Sequence, residues 1–153
     1  MEIEYRNSLP SKEDFFRLFT TTGWNREYQL SPERLQKAIS ASWCTISAYA
    51  DERLVGFGRV VSDGAFHAII YDLIADPEFQ RRGIGSHMLG MLVSRCRESG
   101  IKDIQLFCAR GKRSFYERNG FVARSDDAPG MEYESTEPLP ESDRDDGRPD
   151  VKA

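Results

Sequence analysis

The chain has 153 residues, of which 39% are hydrophobic, 30% charged and 11% aromatic, and its formal net charge is −4. That length suits one compact domain able to bury roughly 70% of its unfolded surface, and no apolar run approaches the roughly 20 residues that span a bilayer. An acidic balance without a long basic face argues against nucleic acid as the main partner.

The opening Met1-Glu-Ile-Glu-Tyr5 has neither a basic nor an apolar leader region, so a cytoplasmic protein with no membrane partner is expected. Ile3 and Tyr5 alternate with polar residues and predict a short first strand. Ser11 with Asp14 makes an S-x-x-D cap, and Phe15, Leu18 and Phe19 fall on one face of the helix it opens. Ser31-Pro32-Glu33 starts a second helix with a capping serine, a first-turn proline and an acid at the positive end; Leu35, Ala38 and Ile39 supply its buried stripe.

Strands follow. Cys44–Ala50 and Leu54–Val61 flank the turn Asp51-Glu52-Arg53. After Ser62-Asp63-Gly64 comes Phe66–Ala75, read as the longest apolar strand and ended by Asp76-Pro77. A helix begins near Gly83–Gly85, carries Ile84, Met88, Leu89, Leu92 and Cys96 at helical spacing, and closes at Ser99-Gly100. Ile104–Cys108 reads as a strand, Lys112–Asn119 as a short helix, and Phe121–Ala123 and Met131–Tyr133 as two final strands. The order predicts an α/β fold, a mixed sheet with helices on its faces.

Residues 135–153 hold six acidic against three basic side chains, three prolines and little to bury, so a disordered acidic tail is expected after a domain spanning 1–134. Cys44, Cys96 and Cys108 lack metal-type spacing and each lies in an apolar segment, reading as small buried hydrophobes. His67 and His87 are too few and too scattered for a metal site, so no metal is expected.

The segment that carries chemistry is Asp76-Pro-Glu-Phe-Gln80-Arg81-Arg82-Gly83-Ile84-Gly85-Ser86. It joins a buried strand to an amphipathic helix through two arginines and two glycines. Free N–H groups at a helix start converge there, and a diphosphate is the natural guest. Two familiar nucleotide patterns fail: no lysine follows Gly85, as a P-loop requires, and position 88 is methionine where a dinucleotide fingerprint needs glycine.

Gln80-Arg81-Arg82-Gly83-Ile84-Gly85 resembles the Q/R-x-x-G-x-G/A loop of the GNAT superfamily of acyl-CoA-dependent N-acetyltransferases. Leu73-Ile74-Ala75-Asp76-Pro77-Glu78 is similar to the family's lead-in to that loop, and Phe115-Tyr116-Glu117-Arg118-Asn119-Gly120-Phe121 to its F-Y-x-x-x-G-F segment. The resemblance covers roughly residues 2–134. It implies a mostly antiparallel sheet of six to seven strands with about four helices, acetyl-CoA as acetyl donor, and a homodimer as the expected assembly. A looser similarity of Arg59-Val-Val-Ser-Asp63 and Tyr71-Asp72-Leu-Ile-Ala-Asp-Pro77 to bacterial relatives of plant serotonin N-acetyltransferases suggests a small-molecule amine, an arylalkylamine among them.

Carried over, the resemblance implies that N–H groups of Arg81, Arg82, Gly83, Ile84, Gly85 and Ser86 hold the coenzyme's pyrophosphate behind Gln80, with arginine charge beside them. Leu73, Ile74 and Ala75 would line the pantetheine arm, a main-chain N–H near Leu73 or Ile74 would meet the oxyanion, and Lys112 would meet a phosphate. Tyr116 takes the family's general-acid position. Asp72 is the candidate base, and simple alternation sets it on one face with Phe66, Ala68, Ile70 and Ile74; an ion pair with Arg59 is the structural alternative. Tyr71 points to the opposite face on that parity, although the bulge that the family implies in this strand would disturb it. Tyr71, Trp24 and Tyr28 are the candidate acceptor-binding residues, with Phe19 and Trp43 nearby in the same aromatic set, which would equally suit an ordinary core. The rival functions are a protein or peptide acetyltransferase and a non-catalytic acyl-CoA sensor.

Overall fold

A computed structural model describes residues 1–139; the rest of the expected acidic tail, 140–153, lies outside the described residues. The chain divides into a unit of Met1–Ala123 and a second beginning at Arg124. Within the second, the described residues form neither helix nor strand.

The first unit runs β1 (Ile3–Arg6), α1 (Lys12–Thr20), α2 (Asn25–Tyr28), α3 (Pro32–Ser40), β2 (Cys44–Ala50), β3 (Arg53–Ser62), β4 (His67–Ala75), a 3-10 turn (Pro77–Phe79), α4 (Ile84–Glu98), β5 (Asp103–Leu106) and α5 (Arg113–Arg118). Both expected caps form: Ser11 Oγ accepts the Asp14 N–H at 3.2 Å and Ser31 Oγ accepts the Arg34 N–H at 3.1 Å. Such caps are worth about 1 kcal/mol each.

The strands lie in the order β1-β2-β3-β4-β5, antiparallel through β4, with β5 parallel to β4. The crossover between those two strands is α4, as a parallel pair requires. One core packs Phe15, Leu18, Leu35 and Ile39 of α1 and α3 onto Leu54, Phe57 and Ile74. The other packs Ile84, Met88, Leu89, Leu92 and Cys96 of α4 onto Val55, Val60, Ala68 and Ile70. Each such buried side chain contributes roughly 1.5–3 kcal/mol of transfer free energy, so α4 is pinned along its whole length. The sheet is thus covered on both faces.

Several expectations are corrected. Among the described residues the sheet has five strands, not six or seven, and the α-helices number five, not four. Phe121–Ala123 and Met131–Tyr133 form no strand, and Val122, Met131 and Tyr133 are 86–90% exposed; three-residue segments with apolar side chains permit a strand but do not provide a ladder partner. α2 is too short to show a period. It is held by Asn25, whose side chain donates to the Leu30 carbonyl at 3.0 Å and accepts the Leu30 N–H at 2.8 Å. β3, with ten residues, is longer than β4, with nine. β4 starts late because Asp63 Oδ1 accepts the N–H groups of Ala65, Phe66 and His67, leaving Phe66 outside the strand and exposed. Of the cysteines, Cys96 is buried, but Cys44 is only partly so and Cys108 is exposed. No helix among the described residues is long and apolar enough to cross a membrane, and no group of three or more metal-ligating side chains forms among them.

Candidate functional site

β4 positions the site through an irregularity. Phe57 of β3 pairs with Ile74 and Arg59 with Tyr71, so Gly58 alone faces both Asp72 and Leu73. That two-against-one count is a β-bulge, and Asp72 takes φ +53 to make it. A non-glycine residue there is uncommon, and aspartate is among the side chains that tolerate it best.

The bulge overturns the alternation expected for this strand. Ala68 and Ile70 belong to the core under α4, whereas Ile74 belongs to the core under α1 and α3. Asp72 therefore does not share a face with Ala68 and Ile70. Its Oδ2 accepts from Arg59 Nε at 2.7 Å, and Arg59 Nη1 donates to the Ala38 carbonyl at 3.2 Å and to Ser42 Oγ at 3.4 Å, at the end of α3. The same guanidinium lies 5.7 Å from the Tyr71 ring centroid. Tyr71 and Asp72, adjacent in sequence, thus meet one arginine on one face. The ion pair with Arg59 exists, and Asp72 Oδ1 has no hydrogen-bond partner among the described residues.

The strand next to the bulge is open. β5 pairs with β4 only from His67 to Ile70, against Asp103 to Leu106. From Tyr71 to Ala75 no strand among the described residues pairs with β4 on the β5 side, so the two parallel strands part where the bulge lies. An unpaired strand edge presents donors and acceptors to an extended ligand.

That edge leads into the loop. Gln80 Nε2 donates to the Ala75 carbonyl at 3.2 Å, tying the loop to the end of β4. Arg81 and Gly83 take φ +62 and +80, and Gly83 precedes α4 without any capping side chain. Gln80, Arg81, Arg82, Gly83 and Ser86 are exposed, while Ile84 is buried beneath them. The first-turn N–H groups of a 15-residue helix are left for an anion, with the positive end of its dipole behind them. Arg82 sits over the Phe79 ring, 5.1 Å from its centroid.

α5 stands beside this helix start: the Phe115 ring comes within 3.4 Å of where a Cβ on Gly85 would lie. Tyr116 follows, partly buried, its ring edge-on to Phe115 at 5.0 Å and to Phe121 at 6.1 Å. Burial pushes its phenol above the usual value, and Cys108 nearby adds to the shift, so the hydroxyl is protonated at neutral pH. Lys112 occupies the N-cap of α5 and is exposed.

The aromatic set divides. Trp24 lies edge-on to Phe19 at 5.9 Å, and Tyr28 is 63% exposed, whereas Phe19 is a buried core residue. Trp43 packs with the α4 core, and Arg95 of α4 lies over its ring, so it does not join Phe19 and Trp24. In the sequence Asp76 ends a strand and opens the segment that leads to the glycine loop. Its carboxylate is buried at the head of the loop and bonded to Arg17 and Arg53. An isolated Asp-Pro gives no sign of partners so distant in sequence.

Residues 11–121 match the family model described as the acetyltransferase (GNAT) family. The chain is 30% identical to the uncharacterized N-acetyltransferase ycf52 of Gracilaria tenuistipitata var. liui, over 82% of this chain and 69% of that protein. It is 31% identical to serotonin N-acetyltransferase 2, chloroplastic, of Oryza sativa subsp. japonica, over 76% of this chain but 58% of that one. Among solved structures, the GNAT family acetyltransferase SP0256 of Streptococcus pneumoniae TIGR4 superposes with a TM-score of 0.76 at 28% identity, covering 89% of this chain and 100% of that one. Other curated relatives are spanned over only about half their length.

Proposed function

The chain belongs to the GNAT acetyltransferase family, and from that premise we propose that it moves an acetyl group from acetyl-coenzyme A to the primary amine of a small molecule, with arylalkylamines preferred, by direct attack in a ternary complex. One observation carries this: the unpaired Tyr71–Ala75 edge of β4 runs directly into an uncapped, glycine-containing loop at the start of α4. A ligand with an amide-bearing arm and a diphosphate matches those two features in that order.

When bound, acetyl-coenzyme A supplies an acetyl thioester with a thiol leaving group. The N–H groups of residues 81–86 hold its diphosphate, Arg81 or Arg82 adds positive charge, and Lys112 meets a further phosphate. Leu73, Ile74 and Ala75 receive the arm as they would a neighbouring strand, and a main-chain N–H at Leu73 or Ile74 stabilises charge developing on the carbonyl oxygen. Asp72, with Oδ1 unpartnered, attracts the cationic amine and takes one proton from it, directly or through one water, so that the neutral amine's lone pair forms the C–N bond; the second N–H proton leaves to water as the tetrahedral adduct collapses. Tyr116 donates its phenolic proton to the sulfur as the C–S bond breaks. Tyr71, Trp24 and Tyr28 offer aromatic surface to the acceptor, in keeping with the name of the rice relative. A cytoplasmic setting is part of the proposal, although relatives named chloroplastic occur.

The test is a steady-state assay of free coenzyme A release with serotonin, tryptamine, phenethylamine, spermidine, lysine and a short peptide. Turnover concentrated on the three arylalkylamines is expected. Turnover on spermidine or the peptide would keep the enzyme and overturn its acceptor, and silence across the panel in a protein that binds acetyl-CoA would favour a sensor. Tyr116→Phe is expected to lower kcat about 100-fold while coenzyme A affinity stays within about twofold, because a general acid acts on the chemical step.

A further inference from the structure

We propose that Asp76 is the positioning residue of the donor loop, fixing it to both α1 and the β2–β3 hairpin; this rests on the donor-site reading above. Asp76 is the one charged residue that is buried among the described residues, at 2% exposure. Its Oδ2 meets Arg17 Nη1 of α1 at 3.4 Å and Arg53 Nη2 at the start of β3 at 3.1 Å. Its Oδ1 accepts the Glu78 N–H at 3.0 Å, its own N–H donates to the Val55 carbonyl at 2.8 Å, and its carbonyl accepts the Phe79 N–H at 2.8 Å. The carboxylate and main chain of one residue thus hold the whole Pro77–Phe79 turn that delivers the chain to Gln80.

The bracing continues on both sides. Arg17 Nη2 also donates to the Leu54 carbonyl at 2.6 Å, so α1 is tied to the hairpin as well as to the loop. Arg53 pairs with Glu78 at 3.0 Å and lies over Phe79, whose ring also receives Arg82 from the loop itself. α1 packs in the core on the same side of the sheet as Ile74 and α3, the side proposed above to face the acceptor. The Asp76 cluster therefore links an element of that side to the turn carrying the anion loop. A buried carboxylate with three donors is costly to desolvate and holds its partners to one geometry.

The sign of one substitution separates positioning from simple electrostatics. Asp76→Asn keeps an acceptor for the Glu78 N–H, removes one negative charge near the loop, takes the carboxylate from Arg17 and leaves Arg53 with Glu78 alone. If Asp76 acted only through its field, the variant would bind anionic coenzyme A more tightly, since the local charge becomes more positive. If it positions the loop, binding weakens: the Kd for coenzyme A by calorimetry is expected to rise about tenfold, with KM for acetyl-CoA following it and kcat changed by less than about twofold.

Hydrogen exchange of the free protein makes the inference independent of the ligand. Amides of residues 77–86 are expected to exchange about tenfold faster in Asp76→Asn, with β2 and β3 unchanged. Unchanged loop exchange would overturn the inference even if coenzyme A binds as proposed. Loosening of the loop in a protein that never binds coenzyme A would instead overturn the donor-site reading alone. Should Asp76→Asn fail to fold, Arg53→Met, at a half-exposed side chain, is expected to give the same local rise in exchange at residues 77–86, and no rise there overturns the inference.

Discussion

Two carboxylates four positions apart, Asp72 in β4 and Asp76 just beyond it, are each met by arginine, yet they sit in opposite conditions. Asp76 is almost fully enclosed, and both its oxygens and its main chain are bonded within its own neighbourhood. Asp72 is more accessible, shares one oxygen with Arg59, leaves the other unpartnered among the described residues, and holds a left-handed backbone. A satisfied carboxylate braces the structure; a half-satisfied one on a strained bulge is available to a ligand. The same residue type in the same strand region thus serves two ends, and local geometry decides which.

The comparison breaks most visibly if Asp76 is emptied rather than neutralised. Asp76→Ala is expected to cost about 2–3 kcal/mol, below the 3–5 kcal/mol typical of splitting a fully buried pair, because the freed arginines can reach water. A fall in Tm of about 5–10 °C by calorimetry follows for a chain of this size. Asp72→Asn should do the reverse. Asparagine tolerates the positive φ, so stability is expected to change by no more than about 1 kcal/mol, while kcat/KM for the amine falls about 100-fold at neutral pH. If the Asp72 variant instead melts early and keeps its turnover, its carboxylate is a second brace and the contrast disappears.

Much of this frame can be read in the sequence. Ser11 and Ser31 announce α1 and α3 because capping is local chemistry between residues three apart. The stripe Ile84, Met88, Leu89, Leu92, Cys96 announces α4 because a long helix repeats its signal. The glycine loop is legible because its residue types serve one purpose. What escapes is non-local. The bulge depends on Gly58 standing opposite two residues of another strand, and it reassigns Tyr71 and Asp72 to a common face that alternation alone would separate. The Asp76 cluster joins side chains 59 and 23 positions away. The two expected C-terminal strands, Phe121–Ala123 and Met131–Tyr133, are three residues each, too short for a period to establish a ladder. Tertiary pairing made each of these decisions, and the site residues whose settings differ most from expectation cluster where it did so.

The smallest effect is also the one that most sharply separates a catalytic tyrosine from a packing one. Burial, with Cys108 second, raises the Tyr116 phenol above its ordinary value of 10.0. Below that ordinary value the phenol is neutral in both folded and unfolded chains, so Tyr116 gives stability no pH dependence there. Above it the unfolded chain releases its proton first, and Tyr116's stabilising share declines as pH rises through the folded value. The same shift keeps the general acid loaded: kcat with a saturating arylalkylamine is expected to hold level to about pH 10 and to fall only beyond it. Tyr116→Phe is expected to lose that alkaline limb along with most of its rate. A limb that sets in near pH 8, or one that survives in Tyr116→Phe, would mean that a different group protonates the leaving thiolate and that Tyr116 serves only the packing of Phe115 and Phe121 around it.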